Sequence, residues 1–185
     1  MSQFEFLLIF VSLIAAFSVS DILMSWGEEI RLWKQVRHYV VHTAWSLAML
    51  FALVQVWWSL WQFHDKPSWT FPEYLVLVLP FLTLSLMVYV LTPKFSEREL
   101  DVKVHYYNNA RWVFALGAAY LMCWVLFASV MGGDPINDRR TALRILMSVV
   151  FLILAIFKNE RLHQAGALSM YLLILVMVVS SLVYL

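Results

Sequence analysis

The sequence predicts an all-α polytopic membrane protein with six transmembrane helices and short loops. Of its 185 residues 63% are apolar and 14% are charged, and the mean hydropathy is +0.77, a balance outside the range of soluble domains. No Asp, Glu, Lys or Arg interrupts any of the apolar runs, as expected where hydrocarbon surrounds a helix. The six predicted spans are 6–20, 43–63, 74–92, 112–131, 145–157 and 165–185.

These spans leave no room for a soluble domain. About 20 residues at about 1.5 Å each are needed to cross about 30 Å of hydrocarbon, so six helices use most of the chain. We therefore predict that residues 1–185 form a single transmembrane domain. The first span is expected to be retained, although Ser18-Val19-Ser20 resembles a cleavage site, because residues 1–5 contain no Lys or Arg and signal peptides normally start with positive charge.

Turn residues mark two of the connections. Asp65-Lys66-Pro67 separates the second and third spans, and Gly132-Gly133-Asp134-Pro135 separates the fourth and fifth. Pro80 lies inside the third span, where it frees a backbone carbonyl that a neighbouring helix or Thr83 is a candidate to satisfy.

The distribution of positive charge predicts the orientation. The connections after spans one, three and five hold nine Lys and Arg residues, and the other connections and termini hold four. Cytoplasmic loops carry the excess of positive charge, so both termini are predicted to lie outside the cytoplasm. The four on the other side are Lys66, Arg139, Arg140 and Arg144, and the three arginines argue against this orientation.

Polar residues concentrate near the span ends on the predicted cytoplasmic side. They come from several helices, so a closed bundle would bring some of them together. We predict a polar, aromatic-lined vestibule there that takes a substrate or ion. The alternative is that these residues are polar only because the helix ends lie among hydrated lipid headgroups. The vestibule is predicted to comprise Asp21, His42, Tyr107, Asn108, Arg111 and His163.

Two histidines suggest a metal or haem site as a further alternative. His38 and His42 are spaced i, i+4, which places both on one face of a helix, and imidazole suits zinc, copper or haem iron. The single cysteine, Cys123, offers no disulfide and no cysteine-based metal site. The expectation is that the chain has no cofactor.

The chain carries no catalytic motif of the His-Glu-x-x-His, phosphate-loop or Gly-x-Ser-x-Gly kind. Glu5 and Asp21 lie about 24 Å apart along one helix, too far to act as an aspartate pair. Acid–base chemistry by Asp21, His42 and His163 is a third alternative, but the sequence favours a protein that is not an enzyme.

Small residues recur on three of the spans and predict close helix packing within the chain or between subunits. They are Ser12, Ala16 and Ser20 on span one, Gly117 and Ala118 on span four, and Ala165, Gly166 and Ser169 on span six.

Three segments carry a resemblance to a known group. They are Phe4-Glu5-Phe6, Arg37-His38-Tyr39-Val40-Val41-His42-x2-Trp45 and His105-Tyr106-Tyr107-x2-Ala110-Arg111-Trp112. In this layout the chain resembles a group of small bacterial integral membrane proteins with six spans. The resemblance implies a bacterial inner membrane and no particular activity.

We expect a homo-oligomeric channel-like or transport protein for a small ion or solute, with the polar vestibule as its mouth. The alternative is a non-enzymatic binding or accessory protein that holds a lipid, a haem or a partner's helix. Membrane lipids are expected partners. The net charge of +1 gives no reason to expect nucleic acid.

Overall fold

The computed structural model describes residues 2–94, 100–131 and 139–183, and these residues form an all-helical protein. The turn predicted at 132–135 lies outside them. A short 3-10 helix, Leu60–Phe63, follows α2, and two two-residue strands, β1 (Val36–Arg37) and β2 (Leu100–Asp101), precede α2 and α4. The helices are α1 (Gln3–Arg31), α2 (Val40–Ser59), α3 (Phe71–Leu91), α4 (Val102–Val130), α5 (Arg139–Ile156) and α6 (Glu160–Val183).

Among the described residues, four helices are long and apolar enough to cross a bilayer. They are α1, α2 together with its 3-10 extension, α3 and α4, which confirms the first four predicted spans. The fifth and sixth are not confirmed. In α5, three arginines within the first six residues leave an apolar stretch of residues 145–156, which is about 18 Å long at about 1.5 Å per residue. Six spans therefore stay a prediction.

Local sequence sets the start and the packed face of α1. The Ser2 hydroxyl accepts the Glu5 backbone N–H at 3.1 Å, and the Glu5 carboxylate accepts the Ser2 N–H at 2.8 Å, which is a capping box. Buried residues then recur every three or four positions from Phe4 to Glu29, so one stripe of the helix faces the bundle. In α3 the helix continues through Pro80. The Thr83 hydroxyl donates to the carbonyls of Leu79 and Pro80, not to the carbonyl four residues before the proline.

The core lies where α4 packs between α3 and α5. Its centre is an aromatic cluster: the Trp45 ring lies 4.9 Å from that of Phe114 and 5.7 Å from that of Phe151, both edge-on. A cavity of about 30 Å³ beside Trp45 is lined by Met49, Leu84 and other mostly apolar side chains. That volume is about the share of one water molecule in the liquid, so little open space lies beside Trp45.

The connection before α2 and the connection before α4 are joined by backbone pairing, at the end of the bundle where α2, α4 and α6 begin. β1 and β2 pair in parallel, Val36 with Leu100 and Arg37 with Asp101, and the Arg37 guanidinium contacts the Asp101 carboxylate at 3.3 Å. We call this the His-rich end, because His38, His42, His105 and His163 all lie near the starts of these helices.

The small residues divide between packing and exposure. Gly117, Ala118 and Gly166 are buried, and the Ser148 hydroxyl reaches the Ala118 carbonyl at 3.4 Å. By contrast, Ala165 and Ser169 on α6 and Ala16 and Ser20 on α1 are exposed, and Ser12 is half-buried. The small face of α1 therefore points largely away from the rest of this chain.

Gly117→Ala is expected to destabilise the protein. A Cβ there would lie 2.5 Å from Cδ2 of Phe151, and overpacking of this kind costs about 1–3 kcal/mol. Gly27→Ala is the matched control, since a Cβ at Gly27 meets nothing within 4 Å, and helix propensity alone favours alanine by about 1 kcal/mol. Unfolding in mixed micelles should rank Gly27→Ala above wild type and Gly117→Ala below it. Equal stability of the two variants would show that α4 and α5 do not pack this closely.

Candidate functional site

The starts of α4 and α6 are held together by a buried hydrogen bond at the His-rich end. His163 is fully buried, with 0% of its surface exposed. Its Nε2 lies 3.0 Å from the Phe157 carbonyl, and its Nδ1 lies 2.7 Å from the Tyr106 hydroxyl. Because a carbonyl only accepts, Nε2–H donates to Phe157 and Nδ1 accepts from Tyr106. Both ring nitrogens are therefore used.

Tyr107 packs next to His163, and Tyr39 packs next to Tyr107, on the side toward the surface. The Tyr39 hydroxyl lies 3.0 Å from that of Tyr107, and the Tyr107 ring lies 5.3 Å from that of His163. Burial is the main cause that raises the pKa of Tyr39, followed by the hydrogen bond with Tyr107. The Lys103 ammonium lies 5.4 Å from the centroid of the Tyr39 ring. It forms a salt bridge with the Glu160 carboxylate at 2.8 Å. The result is a packed aromatic cluster with a salt bridge over it.

Two histidines hydrogen-bond to the last residue of α3. Nε2 of His42 and Nε2 of His105 each lie 3.1 Å from the carbonyl of Leu91, the last residue of α3. The final carbonyls of a helix have no hydrogen-bond donor within the helix. Both imidazoles therefore donate to a carbonyl that would otherwise lack a donor. Nδ1 of His42 is buried and has no hydrogen-bond partner in the described residues.

A groove of about 280 Å³, lined by both polar and apolar groups, lies between α1 and α3 at the same end. The Lys94 ammonium donates to the Tyr89 hydroxyl at 2.7 Å, and this bond, with a smaller contribution from nearby Asp21, raises the pKa of Lys94. Ser25 is 6% exposed, and its hydroxyl has no partner within the described part of the chain. The groove, which we call the α1–α3 groove, is lined by Asp21, Met24, Ser25, Glu28, Tyr89, Thr92, Pro93 and Lys94.

The six residues of the predicted vestibule lie in three places. His42 and His163 are buried at the His-rich end and Tyr107 is half-buried there against His163, whereas Asp21 lines the α1–α3 groove. Asn108 and Arg111 are exposed on α4, and the Arg111 guanidinium lies 5.7 Å from the ring of Trp112. The structure does not bring all six residues together, and a vestibule for a substrate or ion stays a prediction.

Helix geometry explains the separation. The buried positions of α4 include Tyr106, Ala110, Val113 and Gly117, which follow the helical repeat and leave Arg111 on the opposite side. The sequence predicts that a helix ends beside Asp21, but α1 continues to Arg31. The Asp21 carboxylate therefore lies beside α3 rather than in the connection between α1 and α2.

The expectation that His38 and His42 project from one helix face is wrong, because α2 begins at Val40 and His38 precedes it. Nδ1 of His38 lies 2.6 Å from the carboxylate of Glu29, whereas His42 faces Leu91. In the parts of the chain that the structure describes, no group of three or more His, Cys, Asp or Glu is placed to hold a metal ion.

Sequence reasoning missed most of the α1–α3 groove. Asp21, Ser25 and Glu28 are spaced i, i+4, i+7, which places them on one face of a helix and was a usable signal. Lys94 and Tyr89 gave none, because their approach to α1 depends on how two distant segments pack.

Comparison with known proteins found no matching family model, no matching curated protein and no matching solved structure.

Proposed function

We propose that this protein is a non-enzymatic binding or accessory protein of the bacterial inner membrane that holds a ligand in the α1–α3 groove. The observation that carries the proposal is the groove itself, where a lysine and two acidic residues line one concave site beside apolar helices. Concave sites with a few convergent polar groups are the usual form of a ligand site.

Six spans are part of this proposal. Phe151 of α5 packs on Gly117 of α4, and His163 at the start of α6 bonds to Tyr106 near the start of α4. α5 thus runs alongside α4 toward the His-rich end, which supports a crossing. Its three arginines then lie at the opposite end, where long basic side chains extend to the headgroups.

The charge distribution supports an orientation with the His-rich end toward the cytoplasm, because the connections on that side carry most of the Lys and Arg residues. The α1–α3 groove would then open at the inner leaflet.

Binding is favoured over conduction through a single bundle. Between the His-rich end and the opposite end, the core contains Trp45, Phe114 and Phe151 in ring contact, and the cavity beside them is the size of one water molecule. An ion path needs polar groups or a wider opening at this level.

A channel-like or transport role for a small ion or solute is the second candidate, and it requires a homo-oligomer. The observation that favours it is the small face of α1, since Ala16 and Ser20 are exposed and such residues let helices of two subunits approach closely in lipid. The conducting path would then follow the axis between subunits.

Native mass spectrometry and an absorption spectrum of gently purified protein test the binding proposal. We expect about one small ligand retained for each protomer and lost from the double variant Asp21→Asn/Lys94→Met. A Soret band would identify haem instead of a groove ligand, and a ligand-free protein would contradict the proposal.

Liposome reconstitution tests the second candidate. We expect no flux of K⁺, Na⁺, H⁺ or Cl⁻ above that of empty vesicles. Flux that disappears with Ala16→Leu, which enlarges the small face of α1, but persists with Leu13→Phe on an exposed neighbouring position, would favour the homo-oligomeric channel.

A further inference from the structure

We propose that the ligand of the α1–α3 groove is a phospholipid whose headgroup carries a primary ammonium, that is, phosphatidylethanolamine. This inference rests on the proposed function, because it names the ligand of the same groove. It follows from how charge, hydrogen-bonding groups and exposed apolar surface are arranged around the groove.

The two walls of the groove differ in charge. α1 contributes two carboxylates, Asp21 and Glu28, and the segment at the end of α3 contributes the Lys94 ammonium. A zwitterionic headgroup has the complementary arrangement, a cation to face the acids and a phosphate to face the lysine. Glu28 also contacts Arg31 at 3.6 Å, but both side chains are exposed and such pairs are weak.

The wall formed by α3 suits a phosphate. The Tyr89 hydroxyl accepts from Lys94, so its own proton remains available for a phosphate oxygen. Lys94 keeps two further donors on its ammonium group.

The position of the groove suits a lipid rather than a soluble zwitterion. α1 and α3 run parallel, since Trp69 bonds to Gln3 at one end and Ser18 bonds to Ser85 at 2.6 Å further along. The groove lies beyond these contacts, at the level where α3 ends. Exposed apolar side chains continue from it toward the middle of both helices, namely Leu13 and Phe17 on α1 and Leu82 and Leu86 on α3. Acyl chains would cover them.

The same chemistry predicts discrimination between headgroups. A primary ammonium donates hydrogen bonds to the carboxylates of Asp21 and Glu28, whereas the quaternary ammonium of phosphatidylcholine has no N–H to donate. Phosphatidylglycerol places no cation opposite the two acids. Because the other two lipids lose these charge-assisted hydrogen bonds, a preference of roughly tenfold over either lipid is expected.

The test is native mass spectrometry of the full chain delipidated in detergent and then titrated with three lipids of identical acyl chains. These are phosphatidylethanolamine, phosphatidylcholine and phosphatidylglycerol. We expect wild type to retain phosphatidylethanolamine about tenfold better than the others. Asp21→Asn should reduce the preference over phosphatidylcholine, and Lys94→Met should weaken retention of all three. Lys34→Met, at an exposed position of the same end, is the matched control and should bind as wild type does. A thermal unfolding scan of each variant checks that it is folded.

The outcomes separate this inference from the proposed function. Equal retention of the three lipids, or a preference for phosphatidylglycerol, would overturn the ammonium headgroup while leaving a lipid site in place. An Asp21→Asn variant that keeps the full preference would also overturn it. Failure of wild type to retain any lipid or other ligand would overturn both.

Discussion

Trp45→Ala is expected to destabilise the protein by about 3–5 kcal/mol, the range for truncating a buried aromatic side chain. Trp45 is 2% exposed and packs edge-on against Phe114 and Phe151. The vacated space would merge with the cavity of about 30 Å³ that Trp45 already lines, and the cost rises with cavity volume. In a bilayer, helix association depends on such contacts because lipid is as apolar as the core.

Trp112→Ala is the control for this change, because it removes the same side chain from a position that is 61% exposed. Unfolding in mixed micelles should place it within about 1 kcal/mol of wild type, as for most exposed positions. Similar losses for the two tryptophan variants would mean that the aromatic cluster does not hold the bundle together.

His163→Ala is expected to cost about 2–5 kcal/mol, from the cavity and from the buried groups left without partners. The variant removes the ring that accepts from Tyr106 and donates to Phe157. The start of α6 should therefore loosen from α4, and hydrogen exchange of residues near 160 should increase.

His64→Ala serves as the histidine control. His64 is exposed and stacks on Trp61 with ring centroids 4.6 Å apart, so its removal should cost at most about 1 kcal/mol. If His163→Ala unfolds at the same denaturant concentration as His64→Ala, the His-rich end is not organised as described.

Much of the fold was predictable from the sequence because hydrocarbon excludes charge. The first four spans follow from that rule alone, and α5 departs from it for a visible reason, since its three arginines shorten the apolar stretch. Glycines also gave a correct signal: Gly117 and Gly166 both lie where another helix approaches closely.

The candidate site was less predictable, because composition near a helix end does not say which way a side chain points. Arg111 and Tyr106 are five residues apart on α4, yet one is exposed and the other fully buried. The parallel pairing of β1 with β2 joins two connections that are distant in sequence, and no local sequence pattern predicts it. Lys94 reaches the groove only because α1 and α3 pack in parallel.

In the proposed topology, the chain crosses the membrane six times and turns its His-rich end toward the cytoplasm. Labelling of Lys158→Cys by an impermeant maleimide, in a Cys123→Ser background in intact cells, tests it directly, because residue 158 lies between α5 and α6. We expect no labelling of Lys158→Cys or Lys34→Cys from outside, and ready labelling of Asp65→Cys between α2 and α3. Labelling of Lys158→Cys and Asp65→Cys but not of Lys34→Cys would contradict it, because α5 and α6 would then not cross the membrane.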